Sequence, residues 1–598
     1  MVGRSVDRAT ECCAQFHSHL SELAAFTQTL GADDGRLLYG SRLEGHASPT
    51  FLRGGSILVV AAGHVANRAE LCRRLRISSD SSTCRLLGEA WLAWGELVGN
   101  LVIGDWALAV WRRSPRQVAL ARSVTSSKPL FYSESESEIL FASKAQAVAA
   151  ATQSDSTPDW SAIAHFMTHM VLPQDRTAFA GVRRVPTGCA IIWEEGRSSR
   201  KEIWRPSLEA DLKPRTWAHE LRTALEVAVS DLLPTSGVVA SQLSSGRDSS
   251  AVTAVAAMLA PGRVIAITFG PRPGTVPLQA GSLILDETRQ AQATASALGI
   301  PHVQVDGGSI DNQVSWLSKL QRFAFLPLLS APGAGLRMAV SAAAKDAGAE
   351  VMLTGALGNL GLSSGGIQFL SEYRREEGTR AWFELAARIA RTKGWKTVLN
   401  HSAPIQLRQR VRAFCGRKNL QAPSMWSGFL AAGLMERKSL ADAARTTREE
   451  VFHVLQEMET ADTTTAAFHG VELLDPTGDQ RIIDIGLTAP ARMLIDKTNG
   501  RPLFEEAFGD ILPSVILQER RRGRQAADWW TAFSPHVVRS LLEEVSEHRF
   551  VQGALDIKKA EPLLQSWPQT FREAMKREDE FQDLLGSLSI ALFLQQNF

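Results

Sequence analysis

Gly237-Val238-Val239-Ala240-Ser241-Gln242-Leu243-Ser244-Ser245-Gly246-Arg247-Asp248-Ser249-Ser250 is an apolar run that breaks into a Ser/Gly turn and reopens as a helix. Residues 238–243 suit a buried parallel strand, Gly246 permits a tight turn, and Ser249-Ser250 lead into an apolar helix over 251–259, which Pro261-Gly262 ends. A turn of this kind aims free backbone N–H groups and the positive end of a helix at one point. Its hydroxyls add donors, so a polyphosphate is its natural guest. The Walker spacing is absent, with no lysine between Lys213 and Lys319. On these residues alone, an ordinary strand-to-helix turn rich in small residues stays open as the other reading.

The order of the downstream segments favours the phosphate site. Val264-Ile265-Ala266-Ile267-Thr268-Phe269 is a β-branched run of strand length, and a helix is predicted from Asp286-Glu287 to Gly299, with its acids at the positive end. Residues 301–305 read as a short strand. Residues 335–348 read as an Ala-rich helix feeding Val351-Met352-Leu353-Thr354-Gly355. This alternation predicts a parallel sheet with crossover helices, whose ligands sit at the carboxyl ends of the strands. The loops 244–250 and 354–359 both belong there.

The first loop resembles the Ser-Gly-Gly-x-Asp-Ser signature of PP-loop ATP pyrophosphatases, with Ser245 in place of the first glycine. The second resembles the Thr-Gly-Glu-Gly-x-Asp-Glu loop of asparagine synthetases, and Asp286-Glu287 matches that family's Asp-Glu helix start. Upstream, Gly104-Asp105-Trp106-Ala107 within 97–111, then Ala121-Arg122, Lys128-Pro129-Leu130-Phe131-Tyr132, Phe141-Ala142-Ser143 and Val185-Pro186-Thr187-Gly188, follow the order of the family's glutaminase-like domain. The resemblance implies an α/β plus α+β chain. Residues 1–206 would form a β-rich, Ntn-hydrolase-like domain, and residues 207–598 a PP-loop ATP-pyrophosphatase-type parallel α/β domain with helical additions over about 367–470. It also implies that Ser244, Ser245, Gly246, Arg247, Asp248, Ser249 and Ser250, with Thr268, Gly355 and Arg520, hold ATP. Asp248 and Asn359 would hold Mg²⁺, and ATP would be split to AMP and pyrophosphate.

Departures from the family narrow the expected chemistry. Glutaminases of this type use an N-terminal cysteine; here Met1 is followed by Val2 and Gly3, and Cys12 and Cys13 read as ordinary small apolar residues. Glutamine hydrolysis is therefore not expected, and the amine is expected on the substrate. β-Lactam synthetases carry a catalytic Tyr at the place of Ala356 and a metal-binding Asp at that of Asn359, and this chain has neither. Thr354-Gly355-x-x-Gly358-Asn359 followed by Ser363-Ser364-Gly365-Gly366 is similar to lasso peptide cyclases, as are 475–481 and 520–529. That likeness implies an ATP-dependent macrolactam synthetase joining an Asp or Glu side chain of a core peptide to its N-terminal amine. A leader peptidase and a leader-recognition protein would be its partners. Another amide ligase of the same fold, β-lactam-type or ammonia-dependent, and an inactive binding scaffold are the alternatives.

Within that resemblance Arg522 takes the place of a Lys that stabilises phosphates or the reacting intermediate. Arginine keeps the charge and adds a planar fork, but cannot transfer the proton. An N-terminal amine, with a reference pKa of roughly 7.7–8.0, needs only modest help from a base. Asp479, with Asp475 and Asp484, is the candidate acceptor; capping turns or pairing with Arg481 is the competing role. Trp382, Trp395, Trp426 and the basic run Arg408-Gln409-Arg410-Val411-Arg412 suit either a peptide cradle or a structural helical subdomain.

Composition frames the rest. The chain has 598 residues, 44% hydrophobic and 21% charged, enough for two or more cores. Its 65 Lys and Arg against 63 Asp and Glu argue against a nucleic-acid partner despite the arginine-rich 520–524. No apolar run has membrane-span length, no signal-peptide core follows Arg4, and six cysteines show neither CxxC spacing nor a disulfide framework, so a cytoplasmic enzyme with free thiols is expected. His302 and His469 fit no metal spacing. A linker is predicted across 203–214 and a hairpin turn across 133–138.

Overall fold

Successive side chains of a strand point to opposite faces, so a strand buried along its whole length must be covered on both. Gly104–Arg112 is such a strand from Trp106 to Trp111: Trp106, Leu108 and Val110 pack into one core, Ala107, Ala109 and Trp111 into another. It lies inside a six-stranded antiparallel sheet whose neighbours run Arg197–Glu202, Cys189–Glu194, Gln117–Arg122, Gly104–Arg112, Ile57–Val65 and Thr50–Leu52. The helices Arg68–Leu75 and Thr83–Trp94 cover one face; Tyr132 and Ile139 of a smaller sheet, with Leu130 just before it, cover the other. The strand starts later than its sequence suggests, because Val98–Leu101 is a helical turn whose Gly99 lies against the Ile203 backbone. The expected hairpin turn falls between Phe131–Glu134 and Ile139–Ala142.

This computed structural model describes residues 26–32, 35–41, 49–125, 127–152, 157–169, 174–213, 215–307, 313–322, 324–328, 331–403, 425–426, 446–457, 469–497 and 500–598. Met1 to Gly3, Cys12, Cys13, the Arg408–Arg412 run and Cys415 lie outside the described residues. Residues 203–216, between the front sheet and the helix Trp217–Leu232, carry no regular element among those described.

The second half is built on five parallel strands. In spatial order they are His302–Val305, Val264–Phe269, Val238–Gln242, Ala349–Leu353 and Glu472–Leu474, so numbered along the chain the sheet reads 3-2-1-4-5. The order reverses between Val238–Gln242 and Ala349–Leu353, and ligands of open parallel sheets bind in the crevice at that reversal. Helices cover both faces: Val239 joins one core with Ala251 and Val255, and Ala240 another with Leu336 and Val340. The chain is thus a two-part α/β protein, an antiparallel front unit followed by a parallel-sheet unit with helical additions.

The helices Leu370–Lys393, Trp395–Ser402 and Thr447–Glu457 lie in the region expected to be helical. Arg448, fully buried, ties the last of these to the first through Glu376 at 2.9 Å and also donates to the Ala489 carbonyl at 2.7 Å. Trp426 is buried and bridges to Leu555, which makes it a core residue and not a surface cradle. The two units meet through Lys128–Glu472 at 2.8 Å, a bond from Thr125 Oγ1 to the Gly478 carbonyl at 2.6 Å, and a core containing Val124, Trp204, Leu357 and Ile483.

Candidate active site

The Val238–Gln242 strand delivers Leu243–Gly246 to the crevice, and the helix Arg247–Leu259 begins there, four residues earlier than its apolar stretch. The serines order the turn before any ligand arrives. Ser244 Oγ lies 2.9 Å from Ser249 Oγ and accepts from the Gly246 N–H at 3.0 Å, while Ser250 Oγ donates to the Gly246 carbonyl at 2.7 Å. Ser245 faces away: its N–H and hydroxyl both donate to Glu287, at 3.0 and 2.6 Å. Burial pushes the Glu287 carboxyl above its usual range, and the Ser245 bonds offset part of that rise.

The second loop, after Ala349–Leu353, lies directly on the first. A Cβ at Gly358 would stand 2.3 Å from Asp248 Cγ, and one at Gly355 would stand 2.9 Å from the Asp248 backbone carbon. Only glycine allows that approach. Asp475 pins the loop from below, accepting from the Leu357 N–H at 2.8 Å and from the Thr477 N–H and hydroxyl at 3.0 and 2.6 Å.

Asp248 is buried between the two loops. Among the described residues its Oδ1 has no hydrogen-bond partner, and burial raises its carboxyl pKa despite a bond from the Ser363 hydroxyl and the nearby charges of Arg501 and Arg247. Arg501 organises this corner: its Nη1 donates to Ser363 Oγ at 2.5 Å and to Asn359 Oδ1 at 3.3 Å. Burial lowers the Arg501 pKa, Asp248 opposes that, and Arg522 and Arg520 push it further down. Arg247 and Arg520 share Glu505, at 3.3 and 2.8 Å.

A cleft of about 500 Å³ opens over these loops. Ser244, Gly246, Asp248, Ser249, Gly355 and Asn359 line one side; Leu336, Arg337, Arg524, Gln525, Trp529 and Gln582 line much of the other. The arginine-rich segment thus reaches the cleft through Arg524, which is ion-paired with Glu578. Arg521 is bound to Glu519 at 2.6 Å, which holds that carboxyl down at about 2.

The sequence that builds this crevice has counterparts among known proteins. Residues 220–595 match the asparagine synthase family, and residues 40–204 match a glutamine amidotransferase domain. The chain belongs to the asparagine synthase family. It is 25% identical over 252 residues to asparagine synthetase [glutamine-hydrolyzing] 1 of Bacillus subtilis (strain 168), covering 41% of this chain and 38% of that protein. A putative asparagine synthetase [glutamine-hydrolyzing] of Mycobacterium bovis is 28% identical over 236 residues, 36% of this chain and 34% of that one. The alignments therefore span little more than a third of these relatives' length. A solved glutamine phosphoribosylpyrophosphate amidotransferase from B. subtilis aligns at 12% identity and TM-score 0.22, over 45% of this chain and 52% of that one, too slight a likeness to carry an argument.

Asparagine synthase family enzymes are ATP-dependent amide ligases, typically with Mg²⁺, and the residues expected to serve that chemistry divide by position. Ser244, Gly246, Asp248, Ser249, Gly355 and Asn359 come together at the cleft. Ser245, Arg247 and Ser250 stand behind the loop, bonded to Glu287, Glu505 and the Gly246 carbonyl. Thr268 does not reach it: 1% exposed, its hydroxyl donates to the Leu243 carbonyl and lies 2.8 Å from His302 Nε2, bracing the turn from inside.

Asp479 does not reach the cleft either. It caps the helix Gln480–Thr488 through the Arg481 N–H and binds the Arg481 guanidinium at 2.7 Å, so the capping role is the one the geometry gives it. Asp484 is exposed on that same helix. Arg520 and Arg522 flank Arg501 and do not line the cleft.

Among the described residues no group of three His, Cys, Asp or Glu is placed to hold a metal. The corner nevertheless fits Mg²⁺, which binds through one or two carboxylates together with substrate phosphates. Asp248, whose buried Oδ1 has no partner among the described residues, would supply that carboxylate, whereas the Asn359 oxygen is turned to Arg501. Arg501 and Arg337 had no signal as site residues in the motif spacing, whereas Ser363 and Arg524 lie within motif segments without having been singled out; Arg501 is 253 positions beyond Asp248 by number.

Asp475 yields a pH prediction. Burial raises its carboxyl from 3.8 to about 6, against the bonds from Thr477 and Leu357. A raised carboxyl pKa stabilises the fold below the unfolded value, and that contribution is lost as pH rises through the folded value, here between about 4 and about 6. Asp475→Asn should therefore flatten stability across that window, while costing about 1–3 kcal/mol throughout because its amide NH₂ replaces one of the two oxygens that accept from Leu357 and Thr477. Chemical denaturation at several pH values checks both; a slope equal to the parent's would contradict the assignment.

Proposed function

We propose that this chain is an ATP-dependent, AMP-forming amide ligase that closes a macrolactam in a peptide, of the lasso cyclase type, with residues 1–206 and 207–598 as its two units. The observation that carries the reading is the meeting of the two loops at Asp248, with a phosphate-binding floor facing a mixed wall of Leu336, Trp529, Arg337, Gln525 and Gln582. Apolar surface with amide and guanidinium groups suits a peptide bearing an acidic side chain.

In the proposed reaction a carboxylate oxygen of the peptide attacks the α-phosphorus of ATP. The α–β phosphoanhydride bond breaks, and pyrophosphate leaves with its electron pair. The peptide's N-terminal amine then attacks the acyl carbon of the acyl-adenylate, AMP departs, and one proton leaves the nitrogen. The hydroxyls of Ser244 and Ser249, exchanging their mutual bond for phosphate contacts, orient the phosphates, and the helix that begins at Arg247 adds its positive end. Arg501, with Arg247, Arg520 and Arg522 around it, offsets the charge that accumulates as pyrophosphate separates. Mg²⁺ held by Asp248 would supply further neutralisation of the phosphate charge. Asn359, committed to Arg501, serves loop position in this scheme and not the metal.

The match of residues 40–204 to a glutamine amidotransferase domain favours a second reading, in which ammonia is joined to a small acid. One assay separates them. The protein is incubated with ATP, Mg²⁺ and a candidate core peptide, with its leader peptidase and leader-recognition protein present, and pyrophosphate and peptide mass are followed. ATP-dependent loss of one water from the peptide is expected. Pyrophosphate formed only with free aspartate and an ammonia source would replace this reading with the second, and absence of ATP binding would leave a scaffold.

A further inference from the structure

Large apolar side chains on a folded surface are normal when scattered and informative when they touch. Phe383, Trp395 and Leu399 are 57%, 44% and 58% exposed, and all three lie on the helices Leu370–Lys393 and Trp395–Ser402. The rings of Phe383 and Trp395 are 6.0 Å apart and tilted by 32°, and Trp382 adjoins Phe383 at 6.4 Å.

The fold accounts for how this surface is held. Gly378 and Gly394, at φ of +88° and +79°, break the helix on either side of Thr379–Lys393 and turn the chain into the next helix. Leu385, Ala386, Ile389 and Val398 are buried in the synthetase core, which anchors both helices from beneath. Trp382 is fixed by its Nε1 bond to Ser402 Oγ at 3.0 Å. Packing is thus satisfied on the inner side, and the aromatic pair is left facing solvent.

The charge around it is one-sided. Between residues 379 and 402 the sequence has five basic side chains, Arg380, Arg388, Arg391, Lys393 and Lys396, against one acid, Glu384, whereas the whole chain carries only +2. Glu384 is paired with Arg380 at 3.5 Å, and the other four bases are exposed. The segment thus carries a net +4, more than the whole chain's +2.

From this juxtaposition we infer that the Phe383–Trp395–Leu399 surface, framed by Arg388, Arg391, Lys393 and Lys396, docks an acidic polypeptide segment that lays an aliphatic or aromatic side chain over the exposed rings. Charge complementarity selects the acidic partner, and the apolar shelf supplies the anchor. An anionic membrane fits less well. A net charge of +2 provides little long-range attraction to such a surface. The surface is separate from the residues that line the nucleotide cleft.

The test is selection from a library of random twelve-residue peptides on the full-length protein, with the quadruple variant Phe383→Ser, Trp395→Ser, Lys393→Glu, Lys396→Glu as the comparison. These side chains are exposed, so the variant should keep the parent's unfolding temperature. Enriched peptides should carry Asp or Glu around an aromatic or aliphatic residue and lose at least about tenfold in affinity to the variant. Three results would overturn the inference: no enrichment, enriched peptides that bind the variant equally well, or enrichment of neutral or basic sequences. So would patch-dependent binding to phosphatidylserine vesicles or single-stranded DNA without peptide binding, or a dimer by light scattering that the variant abolishes, which would assign the surface to a second copy.

Discussion

Asp248→Asn is expected to reduce ATP-dependent pyrophosphate release by at least about a hundredfold while leaving the fold intact and no less stable near neutral pH. The two halves of that expectation have separate causes. Activity falls because Asn is neutral and replaces the buried carboxylate that lines the cleft. Stability holds because burial has already raised the Asp248 pKa, so its ionised form is strained at neutral pH. The contribution of a group so shifted is complete below its unfolded pKa and is lost as pH rises through the folded one. An amide of the same shape avoids that loss. Pyrophosphate release and thermal unfolding measured on one preparation check both; a variant that turns over at the parent rate would remove Asp248 from the chemistry.

Gly358→Ala should be the most damaging single methyl in the crevice. Its Cβ would sit 2.3 Å from both Cγ and Oδ1 of Asp248 and 2.5 Å from its Cβ, and Asp248 is too short and too buried to swing aside. The loop must lift from the helix that begins at Arg247, at a cost of about 1–3 kcal/mol for overpacking of this kind, and the cleft loses its floor. Turnover is expected to disappear together with a lowered unfolding temperature. Unchanged values of both would mean that the two loops are not in contact as described.

How much of the site was legible in the sequence depended on how far apart its contributing residues lie. Ser244–Ser250 and Thr354–Asn359 are contiguous turns after β-branched runs, and contiguous turns keep their chemistry in local spacing; the parallel sheet and its helices were readable from the same alternation. Arg501 left no such mark, because its role exists only once Ser363, Asn359 and Asp248 are folded around it. Asp479 shows the converse difficulty. An aspartate before an apolar helix looks the same whether it caps the helix or moves a proton, and the Arg481 bonds decide for the cap.

In the arginine-rich segment, which side chain faced the cleft depended on the path of the backbone. Arg522 and Gly523 pair with Leu283 and Ile284 as a short strand, and Ala526 adopts a left-handed φ of +49°, so Arg524 and Gln525 are the residues turned inward. A run of similar side chains carries no information about that. Thr268 was misleading for a related reason: it ends a strand at the correct edge of the sheet, yet its hydroxyl points back into the turn it supports.

The proposed chemistry stands or falls on whether a substrate carboxylate is activated by transfer to the α-phosphorus of ATP before an amine displaces AMP. Heavy-oxygen labelling of the substrate carboxylate decides this, with the phosphorus species analysed by mass spectrometry after a single turnover. One labelled oxygen is expected in AMP, with unlabelled pyrophosphate and a product lighter than the peptide by one labelled water. ADP and phosphate as the products, or AMP that carries no label, would rule the scheme out.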